Sequence, residues 1–280
     1  MKLVRYGEAG REKPGLVDAQ GAIRDLSGIV RDIDGDALSD EGLKKLRALD
    51  AGSLPKVAAN TRLGPPVARP SKLVAIGLNY SDHAKESNLP IPAEPVVFMK
   101  ATSAIVGPND TVVLPKGSKK GDWEVELAFV IGKTARSVAE SDAMNHIAGF
   151  MICNDVSERE WQIERGPTWD KGKGFDTFAP LGPWLVTKDD LRDPHNLAMW
   201  LDVNGKRMQT GNTNTMIFNC NKLVSYVSFC MTLLPGDVIT TGTPPGVGLG
   251  MKPPVFLKAG DEMRLGIDGL GEQRQKVKSA

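Results

Sequence analysis

The chain has 280 residues, and at about 150 residues per domain this allows one large domain or one with a small appendage. Its 35 Lys and Arg against 34 Asp and Glu leave a formal net charge of +1, which excludes the cationic surplus of a nucleic-acid groove and of a polybasic membrane footprint. A hydrophobic fraction of 41% with 25% charged residues excludes wholesale disorder.

In chain order, the opening MKLVRYGE is charged too early for the apolar region of a signal peptide. Leu3–Tyr6 and Gly15–Asp18 read as short strands around a turn-rich stretch, and Asp40–Leu49 as a helix with Leu43, Leu46 and Leu49 at helical spacing. The three prolines of LGPPVARPS, residues 63–71, read as an extended linker. A small N-terminal α/β domain is therefore expected over 1–70 and a β-rich domain over 71–280. In the second part, Leu73–Gly77, Val96–Lys100, Trp123–Ile131 and Phe150–Cys153 read as strands. Met199–Val203 and Lys206–Gln209 flank Asn204-Gly205, a strong hairpin signal. Asp237–Thr241 and Glu262–Ile267 complete the strands, with helices expected at Glu158–Glu164 and Leu223–Leu233. The fold class expected is α+β, mostly β.

Cys153, Cys220 and Cys230 form no CxxC pair, which removes a zinc knuckle or dithiol redox site. Cys153 and Cys230 lie in apolar runs, where a thiol packs as a small hydrophobe. Leu127–Ile131, the longest strongly apolar run in mid-chain, is far below the ~20 residues that span a bilayer. A protein of the reducing cytoplasm, with neither membrane nor nucleic-acid partners, is the expectation. Gly246-Val-Gly248-Leu-Gly250 imitates a dinucleotide fingerprint but lacks its third glycine and its following helix. Gly132-Lys133-Thr134 imitates the end of a phosphate-binding loop without the glycine that should precede it.

The chemistry is concentrated in carboxylates. On a strand over 123–131, Glu124 and Glu126 share one face with stems about 6.5–7 Å apart, and Glu126 runs straight into the apolar LAFVI. Two neighbouring anions near a core need a cation between them; the same pattern also fits a solvent-facing acidic side of an antiparallel sheet. Asp155 closes the next buried run, either as a third member of the group or as a turn residue before the Ser157-Glu-Arg-Glu160 capping pattern. Three carboxylates without histidine or a cysteine pair would form an all-oxygen site suited to Mg²⁺, Mn²⁺ or Ca²⁺. His83 and Glu86 stand at i and i+3 on a short helical turn, where a carboxylate can orient an imidazole for general-base work, although such pairs are also ordinary helix neighbours. The proline-bearing segment that follows, within 83–95, is long enough for a lid. Lys173 lies between glycines, as a ligand-approaching or a solvated loop lysine.

Taken together, GLNYSDHAKE at 77–86, WEVELAFVIGK at 123–133, NDVSEREWQ at 154–162, KGKGFDTFAPLGPWL at 171–185 and TTGTPPGVG at 240–248 resemble the fumarylacetoacetate hydrolase family. The resemblance covers residues from about 70 to 280 and implies a mixed β-roll or sandwich, a divalent-metal site and a homodimer. It implies that Glu124, Glu126 and Asp155 bind the metal and that His83 and Glu86 form the catalytic dyad. It further implies that Lys173 is a catalytic lysine and that Arg159, Gln162, Thr177 and Thr243 contact substrate. Longer members carry a fourth acidic ligand just upstream of the histidine, where this sequence offers Asn79 and Tyr80, so water or substrate must complete the shell. The opening segment is more similar to the sugar-acid branch, which hydrolyses 2,4-diketo-3-deoxy-L-rhamnonate or -L-fuconate to pyruvate and a second acid. Lyase chemistry on ureidoglycolate, or keto-acid decarboxylation or isomerisation, are the alternatives within the family; a non-catalytic binding module is the alternative outside it.

Overall fold

Val125–Ile131 and Ile147–Asn154 are almost free of charge and buried at every position, and strands of this kind belong in the middle of a sheet covered on both faces. The computed structural model, which describes residues 1–86, 88 and 90–280, places them side by side and antiparallel, with Val125 opposite Asn154 and Phe129 opposite Phe150. They form the centre of an eleven-stranded sheet. Its main path runs Ile23–Asp25, Lys13–Val17, Lys2–Tyr6, Ala179–Thr187, Ile147–Asn154, Val125–Ile131, Val238–Thr240, Leu73–Gly77, Val96–Lys100. Leu63–Gly64 and Ile105–Val106 are added beside Lys2–Tyr6 and Ala179–Thr187.

A second sheet of five strands, in the order Lys206–Asn212, Ala198–Val203, Glu262–Ile267, Gly271–Ser279, Val112–Leu114, packs against the two central strands of the first. A two-stranded ribbon, Gly121–Asp122 with Ser157–Glu158, lies where the central strands leave the sheet. The mixed, mostly β architecture expected from the sequence is thus the one observed. The turn Asn204-Gly205 joins the hairpin as expected, both residues with positive φ.

Several elements differ from expectation for identifiable reasons. The expected boundary near residue 70 falls between Leu63–Gly64 and Leu73–Gly77, but the large sheet runs across it, since Lys2–Tyr6 pairs with Ala179–Thr187. Val67 and Ala68 of the expected linker are buried. The helix expected at Leu223–Leu233 occupies Cys220–Cys230, because Asn219 caps it by accepting from the Lys222 amide. The helical segment after Asp155 is a short wide turn over Glu160–Glu164. There Glu158, and not Ser157, accepts from the Trp161 amide. Cys230, at the last helical position, is exposed, while Cys153 and Cys220 are buried. Of the expected lid, Ser87 and Leu89 lie outside the described residues.

Two strands, Ala179–Thr187 and Gly271–Ser279, were hidden by their composition. The first carries Pro180 and Pro183. The second alternates buried Gln273, Gln275 and Val277 with exposed Glu272, Arg274 and Lys276, so that amides stand where apolar residues are expected. The register of Ile147–Asn154 against Ala179–Thr187 shifts between Phe150 and Ile152. At that irregularity the Gln273 Nε2 donates to the carbonyls of Ile152 (2.9 Å), Gly182 (3.0 Å) and Pro180 (3.3 Å). Asn154 donates to Gln275 at 3.0 Å, extending a polar seam between the sheets. Gln273→Ala leaves buried carbonyls unpaired and is expected to lower the unfolding free energy by about 1–3 kcal/mol, read from urea denaturation; an unchanged midpoint would show that the seam contributes nothing.

Candidate active site

The ends of the central strands deliver three carboxylates to one point. Glu126 lies on Val125–Ile131 and Glu124 directly precedes that strand, which starts two residues later than expected, while Asp155 follows Asn154 directly with its amide bonded to the Glu124 carbonyl at 2.9 Å. One oxygen from each of the three lies within 4.8 Å of the others, and all three side chains are buried. Of the two sequence readings, the solvent-facing acidic surface is therefore the wrong one.

Charges of this kind persist out of water only with partners. Lys173, buried at the end of the short helix Asp170–Lys173, places its Nζ 2.7 Å from Glu124 Oε2 and 2.8 Å from Asp155 Oδ2. Arg159 reaches the other Glu124 oxygen at 2.7 Å and Asp122 at 2.8 Å, and donates to Gln162 Oε1 at 2.9 Å. Lys100 holds Asp155 Oδ1 at 2.5 Å. Glu126 accepts from the Gly242 amide at 3.0 Å and forms no ion pair among the described residues. Burial opposes ionisation of Glu124, but Lys173 and Arg159 outweigh it and hold its carboxyl down to about 2. Burial pushes the Glu126 carboxyl well above its ordinary 4.5, and the neighbouring Asp155 and Glu124 push it further. Burial weakens the Lys173 ammonium, yet Asp155 and Glu124 more than compensate and raise its pKa.

This donor set fits a hard divalent cation. Three oxygens converge, one carboxylate lacks a cationic partner, and the Lys173 ammonium already occupies a bridging position between the other two. Glu124, Glu126 and Asp155 would hold the ion.

Beside the carboxylates a cavity of about 370 Å³ is lined by His83, Glu86, Glu124, Glu126, Arg159, Gln162, Lys173 and Thr243 together with apolar side chains. His83 is buried on the helix Ser81–Glu86, and its Nδ1 lies 3.1 Å from Glu86 Oε2. Glu86 also accepts from the Gly246 amide at 3.0 Å. The hydrogen bond with His83 holds the Glu86 carboxyl below its ordinary 4.5 against partial burial, and that from Gly246 assists. An ionised Glu86 accepting the Nδ1 proton would leave Nε2 free toward the cavity. Asn79 donates to the carbonyls of Thr241 (2.8 Å) and Phe218 (3.0 Å) and so anchors the segment leading to His83.

Nine of the ten residues singled out in the sequence line this cavity or, for Asp155, the carboxylate group behind it. Thr177 does not. It has a φ of 70°, and its hydroxyl accepts from the Val113 amide at 2.8 Å, a structural bond away from the cavity lining. Thr243 lines the cavity, with its hydroxyl donating to the Val125 carbonyl and accepting from Gln209.

Two contributors were missed, Asp122 and Lys100. Asp122 accepts from Arg159 and from the amides of Gly248 (2.7 Å) and Leu249 (3.0 Å). The glycine-rich loop therefore gives its amides to the protein's own carboxylates, which removes the dinucleotide reading. A Cβ on Gly248 would come within 2.0 Å of the Val255 carbonyl, so glycine is required for that approach. For Lys100, the available signal was its position two residues beyond Phe98, on the same strand face.

The chain belongs to the fumarylacetoacetate hydrolase family: the family model described as fumarylacetoacetate (FAA) hydrolase C-terminal matches residues 72–278. A relative from Burkholderia ambifaria, carrying only a general hydrolase name, is 62% identical over 281 residues and covers both chains completely. Among solved structures, the fumarylacetoacetate hydrolase of psychrophilic Exiguobacterium antarcticum aligns over 100% of both chains with a TM-score of 0.88 and 36% identity. The maleylpyruvate hydrolase of Sphingobium sp. SYK-6, solved with manganese(II) and pyruvate, aligns over 100% of both chains with a TM-score of 0.83 and 33% identity. Among the described residues no helix is long and apolar enough to cross a membrane.

The raised Glu126 pKa fixes a sign. A carboxyl that keeps its proton only in the folded state makes the metal-free protein less stable as pH rises above 4.5 toward the folded value. Glu126→Gln should flatten that slope and abolish any stabilisation by Mn²⁺, whereas in the parent protein that stabilisation should grow with pH. Equal slopes in thermal unfolding would contradict the assignment. Lys173→Met should destabilise the metal-free protein by about 3–5 kcal/mol, the cost of breaking a buried pair. Millimolar Mn²⁺ should restore much of this loss, and a variant indifferent to the ion would mean that the carboxylates do not bind it.

Proposed function

We propose that this protein is a divalent-cation-dependent hydrolase of 2,4-diketo acids (acylpyruvates), cleaving the C3–C4 bond to give pyruvate and a second acid. Mg²⁺ is the expected ion, with Mn²⁺ or Ca²⁺ as substitutes, and a homodimer is the expected assembly. The observation that carries this reading is the His83–Glu86 pair facing the same cavity as Glu124 and Glu126. The manganese(II) and pyruvate in complex with the related maleylpyruvate hydrolase support it. The likeness of the opening segment to the sugar-acid branch puts 2,4-diketo-3-deoxy-L-rhamnonate and -L-fuconate among the substrates to test.

A cation held by Glu124, Glu126 and Asp155 would supply Lewis-acid charge to the reacting keto acid. The protein supplies the rest. His83 Nε2 takes a proton from the water that attacks the 4-carbonyl, and Glu86 stabilises the imidazolium so formed. Lys173 adds positive charge in a site sheltered from bulk water. As C4 becomes a carboxylic acid, the C3–C4 bond breaks, its electron pair leaves on the pyruvate enolate, and the proton held by His83 is available to C3. Arg159, fixed by Asp122 and Glu124, positions Gln162 toward the substrate.

Chelator-stripped protein given Mg²⁺ or Mn²⁺ should release pyruvate from acetylpyruvate. In ¹⁸O-labelled water the second acid should gain one labelled oxygen, which an isomerase or decarboxylase would not produce. His83→Ala should lower kcat by about 10²–10⁴-fold with metal affinity retained. Unaltered turnover in that variant would remove His83 from the chemistry.

A further inference from the structure

With the polar residues assigned above set aside, every other side chain lining the cavity is apolar, Leu78, Phe98, Ile163, Trp169, Val247 and Leu249 among them. The wall is closely fitted. The Trp169 indole lies against the bare backbone of Gly77, where a Cβ would come within 2.3 Å of Cζ3. Phe98 meets the same ring edge-on, with centroids 5.4 Å apart and planes at 63°. Leu78 holds its place in the left-handed region at φ 50°, a conformation costly for leucine and secured by the buried bonds of Asn79. At the mouth Ile163 and Leu249 remain 53% and 38% exposed.

The charges point the same way. Both cations that line the cavity, Arg159 and Lys173, are already bound to Asp122, Glu124 and Asp155. Among the described residues lining the cavity, none is left to receive a second substrate carboxylate. The Thr243 hydroxyl is occupied at both its donor and acceptor sides, and beside the two bound cations the side-chain donors left on this wall are the Gln162 amide and the Trp169 indole N–H. A hydroxylated or charged acyl chain entering this wall would leave polar groups unpaired.

We infer that the acyl group accepted beyond C4 is apolar and uncharged, aryl or branched alkyl, larger than acetyl. This rests on the acylpyruvate reading and narrows it: a monocarboxylate such as benzoylpyruvate is preferred over dicarboxylates and over hydroxylated sugar-acid derivatives.

Relative kcat/KM for benzoylpyruvate, maleylpyruvate and 2,4-diketo-3-deoxy-L-rhamnonate tests this directly. Benzoylpyruvate should exceed both by at least about tenfold; parity or reversal would overturn the inference. If no member of the panel releases pyruvate, the hydrolase reading fails alone, because binding still reports on the wall. Calorimetric titration of the Mn²⁺-loaded protein should then find phenylpyruvate bound at least about tenfold more tightly than 2-oxoglutarate, and equal affinities would refute the apolar subsite. Leu249→Arg, which adds a cation at the mouth and keeps the backbone amide that Leu249 gives to Asp122, should raise the 2-oxoglutarate to phenylpyruvate affinity ratio by about tenfold. An unchanged ratio would place the acyl group elsewhere and overturn the assignment.

Discussion

The structure is organised around an imbalance of buried charge. Counted as fully ionised, Asp122, Glu124, Glu126 and Asp155 set four negative charges against the three positive charges of Lys100, Arg159 and Lys173. In a medium less polar than water such an excess is costly, and the surrounding backbone is arranged to limit it. The amides of Gly242, Gly248 and Leu249 point at carboxylate oxygens. Glu126 responds by retaining its proton to higher pH. A divalent ion brought in with one substrate carboxylate would bring the cluster to neutrality, whereas a second substrate carboxylate would restore the excess.

Much of this is legible in the sequence alone. Period-two alternation puts Glu124 and Glu126 on one face, and helical spacing pairs His83 with Glu86. The apolar runs around them mark the centre of the sheet. What alternation cannot say is which face is wet, because that depends on strands distant in sequence; only the cover given by Lys173 and Arg159 decides it. Lys100 and Asp122 are illegible for the same reason, since a charge at a strand end looks solvated until its partner arrives from another segment. Gln273 and Gln275 hide a strand by placing amides in the core, where only a bulge in the neighbouring ladder gives them a purpose. Thr177 lies within a matching motif, and its hydroxyl serves the Val113 amide, a bond that the motif does not reveal.

The glycine-rich loop near residue 246 shows how a familiar pattern can serve an unfamiliar end. Closely spaced amides free of side chains attract anions whatever the source of the anion. Here the anions are Asp122 and Glu86, both parts of the protein itself. The loop thereby links the dyad to the residue that orients Arg159, and through it to Glu124.

The parallel ladder between Leu73–Gly77 and Val238–Thr240 also bears on how the chain matures. The segment that carries His83 is held beside the carboxylates through a partner synthesised long after it. While the ribosome is still translating the intervening region, Leu73–Gly77 and Val125–Ile131 have open edges and nothing to close them. Contacts of such long sequence separation slow folding and expose sticky strands meanwhile. Recombinant yield should accordingly depend on chaperone supply and growth temperature more than the stability of the finished protein would imply.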